Sequence, residues 1–151
     1  MMVEKWVISP MTSGDIEGVY EIEQHTLSSW SRGQLEIEQA HPLGWHYIAK
    51  DPLESQILGF IFGRTVIDEA EILKLAVHEN FRRQGIAGEL IGSSMAQLNA
   101  SGIKKCFLEL RSKNIPAKNL YEKKGFITTG IRKNYYNHPI DDAIMMAIHL
   151  S

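Results

Sequence analysis

Apolar positions recur along the chain at two spacings, and each change of spacing marks an element boundary. The stretch KWVIS (5–9), a short apolar run rich in strand formers, predicts a first strand. Thr12 and Asp15 then form a Thr-x-x-Asp capping box, and Ile16, Val19 and Tyr20 give a helical stripe. Ser31 and Gln34 form a second box, opening a short helix that must stop before His41-Pro42. WHYIA (45–49), ILGFIFGRTVI (57–67) and EILKLAV (71–77) predict three strands, separated by turns at Asp51-Pro52 and Asp68-Glu69. From Gly85 onward Ile86, Leu90, Ile91, Met95 and Leu98 recur at helical spacing until Ser101-Gly102. KCFLEL (105–110) is another strand. Asn114 begins a helix with Pro116 in its first turn and Gly125 past its end. FITTGIRKNYY (126–136) and DAIMMAIHL (142–150) close the chain as strands around NHPID (137–141).

The order β-α-α-β-β-β-α-β-α-β-β predicts an α/β (α+β) fold, with a mixed sheet of about seven strands and about four helices. With 151 residues and no linker, repeat or low-complexity tract, one domain over 1–151 is expected. A 44% hydrophobic and 23% charged composition is that of an ordinary soluble protein. The single Cys106 rules out an internal disulfide framework, and within KKCFLEL it reads as a buried strand thiol. Charged Glu4 and Lys5 argue against a signal peptide, and no run approaches membrane-spanning length, so a cytoplasmic protein is expected, without membrane contact.

The net charge of −2 hides an asymmetry. Residues 1–73 carry 12 acids and 4 bases, a balance of −8, and residues 74–151 carry 6 acids and 12 bases, a balance of +6. Two solvated faces that happen to differ would give the same split; so would one half that holds an anionic ligand and another that attracts a cationic one.

The junction ENFRRQGIAGELIG (79–92) places two arginines and three glycines where a strand meets a helix. Free N–H groups at the helix start, with the positive end of its dipole, suit an anion such as a pyrophosphate. Glycine lets a phosphate approach the main chain, and Arg82 and Arg83 can add charge. The stretch is neither a Walker loop nor Gly-x-Gly-x-x-Gly, and a plain strand-to-helix turn with exposed arginines is the competing account. Further along, Glu109 interrupts an apolar strand, so its carboxylate sits either on a solvated face or in a partly buried site suited to a general base. Tyr121 falls on the inward stripe of the following helix, where a tyrosine is usually core.

Taken together, Arg82-x-x-Gly85-x-Ala87 after a strand, Glu109 on the next strand, Asn114 and LYEKKGF resemble the Gcn5-related N-acetyltransferase (GNAT) superfamily over essentially the whole chain. SSWS, LAVHENFRRQGIAGELI, LELRSKNIPAKNLYEKKGF, GIRKNYY and DAIMMA are similar to its bacterial ribosomal-protein alanine N-acetyltransferases. The resemblance implies acetyl-CoA as acetyl donor, no metal, Glu109 as general base and Tyr121 as general acid. It implies coenzyme contacts from Leu75, Ala76, Val77, Arg82, Arg83, Gln84, Gly85, Ile86, Ala87, Gly88, Asn114 and Tyr121. Trp30, Tyr135 and Tyr136 are expected either at a peptide groove or as core aromatics. Three departures fall on the acceptor side: Lys74 where a small polar residue is usual, SSWS around Trp30, and a short NHPID turn.

The residue types fit transfer to an amine. An α-amine with a pKa of about 7.7–8.0 is mostly protonated at neutral pH and needs a base. A main-chain N–H near Ala76 or Val77 could serve the developing oxyanion, and the departing thiolate needs a proton donor. The resemblance implies an N-terminal alanine of a ribosomal protein as acceptor. A basic peptide would be steered by the acidic half, where Glu21, Glu23, Glu36 and Glu38 lie with Asp141 and Asp142 in the last turn. The alternatives are a GNAT enzyme for a small amine or a lysine side chain, and a non-catalytic coenzyme-binding regulator, against which Glu109 with Tyr121 argues. Six histidines at 25, 41, 46, 78, 138 and 149 show no metal spacing, and the paired lysines at 104 and 123 read as solvated ends rather than a nucleic-acid patch. A monomer or weak dimer is expected.

Overall fold

The computed structural model describes residues 6–27, 29–53 and 55–151. The strands are β1 (Val7–Pro10), β2 (Gly44–Lys50), β3 (Ile57–Val66), β4 (Glu69–Val77), β5 (Lys105–Arg111), β6 (Ile127–Asn137) and β7 (Ile140–His149). The helices are α1 (Ile16–Glu23), α2 (Arg32–Gln39), α3 (Ile86–Ala100) and α4 (Ile115–Lys123). The strands form one mixed sheet in the order β1-β2-β3-β4-β5-β7-β6, antiparallel except where β4 meets β5. The predicted sequence of elements is the observed one. The first strand begins later than expected, and the Lys5 end of that prediction lies outside the described residues. The last turn shrinks to His138 and Pro139, because β6 extends to Asn137 and β7 starts at Ile140.

Local chemistry explains the helix ends. The Asp15 carboxylate accepts from the Thr12 N–H and hydroxyl, closing a 3-10 turn (Ser13–Asp15) ahead of α1. Ser31 and Gln34 exchange hydrogen bonds at the start of α2. Gly102, at a left-handed φ of 89°, ends α3, and the Ile103 N–H bonds back to the Leu98 carbonyl. The Asn114 side chain caps α4 by accepting from the Ala117 N–H at 3.3 Å.

Two apolar clusters sandwich the sheet. α3 and α4 cover one face through Ile86, Leu90, Ile91, Met95, Leu98 and Tyr121, while α1 and α2 cover the other around Val19, Leu35, Phe60 and Phe62. Fully buried side chains such as Leu35 and Leu90 contribute about 1.5–3 kcal/mol each. Cys106 is wholly buried as expected, and burial pushes its thiol up to about 12. Among the described residues, no helix is long and apolar enough to cross a membrane and no His/Cys/Asp/Glu group could hold a metal ion.

Candidate active site

The site arises where the sheet comes apart. β4 and β5 pair only over Glu69–Glu71 with Lys105–Phe107, and their remaining residues have no register partner across the gap. Just past that point β4 carries a bulge: Gly63 pairs with Ile72 and Phe62 with Lys74, so Leu73 is the extra residue. Bulges bend and twist a strand, and this one coincides with the opening. The resulting cleft, about 690 Å³, is lined by β4 from Ile72 to Val77 and by β5 from Leu108 to Arg111. Asn114, Ala117 and Tyr121 of the α4 region, Tyr136 of β6, Glu23 at the end of α1 and Trp30 in the loop before α2 also line it.

At the outer end of β4 the chain turns into α3. Arg83 and Gly85 both take left-handed φ values, 65° and 93°, which curls the main chain before the helix. The N-cap of α3 is Gly85, which has no side chain to cap it, and the helix's first internal bond is that of Glu89 to the Gly85 carbonyl, which leaves the N–H groups of Ile86, Ala87 and Gly88 without helical partners. A Cβ built on Gly85 would meet nothing within 4 Å, so the space outside this turn is open. Arg82 folds back to donate from Nε to the Val77 carbonyl at 3.3 Å. Uncapped donors, a helix dipole, an open approach and two arginines fit the pyrophosphate of acetyl-coenzyme A. Of the predicted coenzyme residues, Leu75, Ala76, Val77, Arg82, Asn114 and Tyr121 line the cleft itself, while Arg83, Gln84, Gly85, Ile86, Ala87 and Gly88 form the turn at its end. Ile86 is 1% exposed, so it contributes main chain while its side chain joins the core.

Glu109 stands on β5 on the face opposite Leu108 and Leu110. Its carboxylate, 31% exposed, lies 3.6 Å from Arg132 Nε. The solvated alternative is the one the structure adopts, yet the residue still lines the cleft. Its charge reaches its neighbours: burial first, then Glu109, pushes up the Glu71 carboxyl against the opposing pull of Arg64. The same two causes, in the same order, raise the Tyr136 phenol, with Arg111 opposing. Tyr121 is 5% exposed and packs edge-on against Phe126 at 5.3 Å. Burial pushes its hydroxyl well above the ordinary phenol value, so it stays protonated. None of the described residues hydrogen-bonds that hydroxyl.

Trp30 and Tyr136 both line the cleft, whereas Tyr135 does not; it is 47% exposed and packs edge-on against Tyr136 at 5.1 Å. The tyrosines are presented by an irregular stretch of β6 between Arg132 and Tyr136, where Asn134 has φ 52° and donates to Asp142. No local pattern in the sequence marks Arg111, whose partners lie on a distant strand and turn. Arg111 stacks on Tyr136 at 4.3 Å and donates to the carbonyls of His138 and Pro139, which fixes the last turn beside the cleft.

The expected acidic steering surface needs correction. Glu23 is wholly buried and pairs with Lys74; Glu38 is 2% exposed and pairs with Arg64 and His46. Asp141 is also buried, accepting from Ser112, Lys113 and Asp142. Glu21 and Glu36 remain exposed. Amphipathic spacing does not reveal that an acid on a helix meets a cation from a distant strand.

The model of the acetyltransferase (GNAT) family matches residues 16–126. A ribosomal protein bS18-alanine N-acetyltransferase of Haemophilus influenzae is 38% identical over 149 residues, covering 95% of this chain and 99% of that relative. The enzyme of the same name from Escherichia coli K12 is 31% identical, covering 95% of this chain and 97% of that relative. The crystal structure of the Escherichia coli ribosomal-protein-S18-alanine N-acetyltransferase superposes with a TM-score of 0.89 at 29% identity, covering 97% of this chain and 95% of that one. Enzymes of this family draw their acetyl group from acetyl-coenzyme A. A seven-stranded mixed sheet splayed at its parallel pair, an uncapped helix at the end of the gap and a match spanning most of the sequence lead to one conclusion: the chain belongs to the GNAT acetyltransferase family.

Proposed function

We propose that the chain is a single-domain cytoplasmic enzyme that acetylates the α-amine of an N-terminal alanine on a ribosomal protein. The observation that carries the acceptor is the 38% identity, over nearly the full length of both chains, to an enzyme named for bS18 alanine. Acetyl-coenzyme A supplies a thioester already electrophilic enough to need no covalent enzyme intermediate. The turn from Arg83 to Gly88 holds its pyrophosphate through main-chain N–H groups, and the unpaired edge of β4 takes the arm that reaches into the cleft. The Asn114 side chain caps α4 with its oxygen, leaving its NH2 to contact the coenzyme.

Glu109 accepts the proton of the incoming amine, directly or through a water, and Arg132 keeps its carboxylate oriented. An N–H of Ala76 or Val77 stabilises the negative charge that develops on the carbonyl oxygen. Tyr121, held neutral by burial, gives its proton to the departing thiolate. Trp30 and Tyr136 flank the acceptor. The test is a reaction of the purified chain with acetyl-coenzyme A and a peptide beginning with alanine followed by basic residues, with fragment-ion mapping of the product. Acetyl on the α-amine is expected; acetyl only on lysine side chains or on free small amines refutes the N-terminal reading.

A further inference from the structure

The acceptor end of the cleft contains a buried ion pair that acetyl transfer, as derived above, does not use. Glu23, in the last turn of α1, is wholly buried. Its carboxylate accepts from the Thr26 hydroxyl at 2.8 Å and from the Trp30 N–H at 2.7 Å, and it pairs with the Lys74 ammonium. Lys74 projects from β4 directly after the Leu73 bulge, with its side chain 14% exposed and its Nζ 5.1 Å from the Trp30 ring centroid. Glu23, Thr26, Trp30 and Lys74 all line the cleft.

A carboxylate in this position is a natural seat for an ammonium. A nearby opposite charge favours the charged form of an amine, and a protonated amine has no lone pair with which to attack. We propose that Lys74 is a specificity-determining residue: its ammonium occupies the Glu23 carboxylate from within the chain, so an incoming amine finds no vacant anion there, and acceptors that stay cationic are disfavoured against an α-amine. This deepens the acetyltransferase reading of the same cleft and rests on it. At pH 7.5 an α-amine is about one-third neutral, whereas a lysine side chain is neutral in about one molecule in 800. A vacant Glu23 would seat lysine-like ammoniums beside the acetyl donor and hold an α-amine protonated. The other titratable side chains around the cleft are His25, Arg82, Glu109, Arg111, Tyr121 and Tyr136. None of them is seen paired with Glu23.

Calorimetry with n-butylamine and spermidine as probes, each titrated into coenzyme A-loaded protein, tests the proposal. Wild type and Lys74→Arg should bind both weakly. Lys74→Met should bind them at least about tenfold tighter, the equivalent of one pKa unit of charge interaction. The gain should vanish in Lys74→Met/Glu23→Gln, which leaves no uncompensated buried charge. Lys74→Gln, which keeps a donor for Glu23, should show the same gain as Lys74→Met and serves if the latter does not fold. With an alanine-initial peptide, the single neutral variants should show a lower KM and a kcat that recovers only at higher pH, a split that mere loss of packing does not give. Unchanged amine affinity in folded Lys74→Met or Lys74→Gln overturns the proposal, as does tight amine binding by the double variant. Failure of wild type to acetylate any peptide α-amine would sink the N-terminal reading and leave the amine-affinity comparison standing.

Discussion

Replacing Tyr121 by phenylalanine separates proton donation from every other role of that side chain. The ring is 5% exposed and packs edge-on against Phe126, a contact phenylalanine keeps. No described residue bonds the hydroxyl, so its removal costs no hydrogen bond. The hydroxyl faces the cleft, so the variant should be about as stable as wild type below the pH range in which tyrosine ionises. If the hydroxyl protonates the leaving thiolate, turnover should fall by about 10²–10⁴-fold, or about 2.7–5.5 kcal/mol of transition-state stabilisation. Coenzyme affinity should hardly change, because the thiolate develops only during reaction. The sign of the pH effect on stability is fixed by the raised phenol. Unfolded tyrosine ionises near pH 10 while the folded residue stays neutral, so wild type loses stability as pH rises above about 10 and Tyr121→Phe loses less. Single-turnover kinetics, coenzyme calorimetry and melting curves from pH 8 to about 11 measure the three quantities. Full turnover in Tyr121→Phe, or lost coenzyme affinity with chemistry intact, refutes the assignment.

Further expectations concern the cradle, the base and the thiol. Gly85→Glu, which projects a carboxylate into the open space before α3, should abolish coenzyme binding by calorimetry. Gly85→Asn, which tolerates the left-handed φ of 93°, should retain most of it. Glu109→Gln should lower the rate and flatten the acidic limb of its pH profile while leaving the melting temperature within a few degrees, since the pair with Arg132 is partly exposed. Cys106, with its thiol pushed up to about 12 and no exposure, should resist alkylation at pH 8 until the protein unfolds; rapid labelling of native protein would contradict the burial.

Signals that act within a few residues were legible in the sequence. Both capping boxes, the α3 stripe, its Gly102 stop and the Asn114 cap depend on neighbours three to six positions away, and all are in the structure. What the chain could not reveal depends on register and distance. EILKLAV reads as an unbroken strand, and nothing in it marks Leu73 as the bulged residue. The parting of β4 from β5, which creates the cleft, follows from long-range pairing. Glu23 and Glu38 read as solvated acids because Lys74 and Arg64, which bury them, lie on distant strands. A carboxylate interrupting the apolar strand KCFLEL marks Glu109 as a candidate base by itself, but only the family likeness pairs it with Tyr121, which periodicity places in a core.

The central claim is the acceptor, and it is read most directly from intact ribosomal proteins of cells with and without this gene. Mass spectrometry should show one ribosomal protein lighter by a single acetyl group in the deletion strain. Peptide mapping should place that group on the α-amine of an N-terminal alanine. Identical ribosomal masses in both strains, or a lost acetyl that maps to a lysine side chain, would contradict the account.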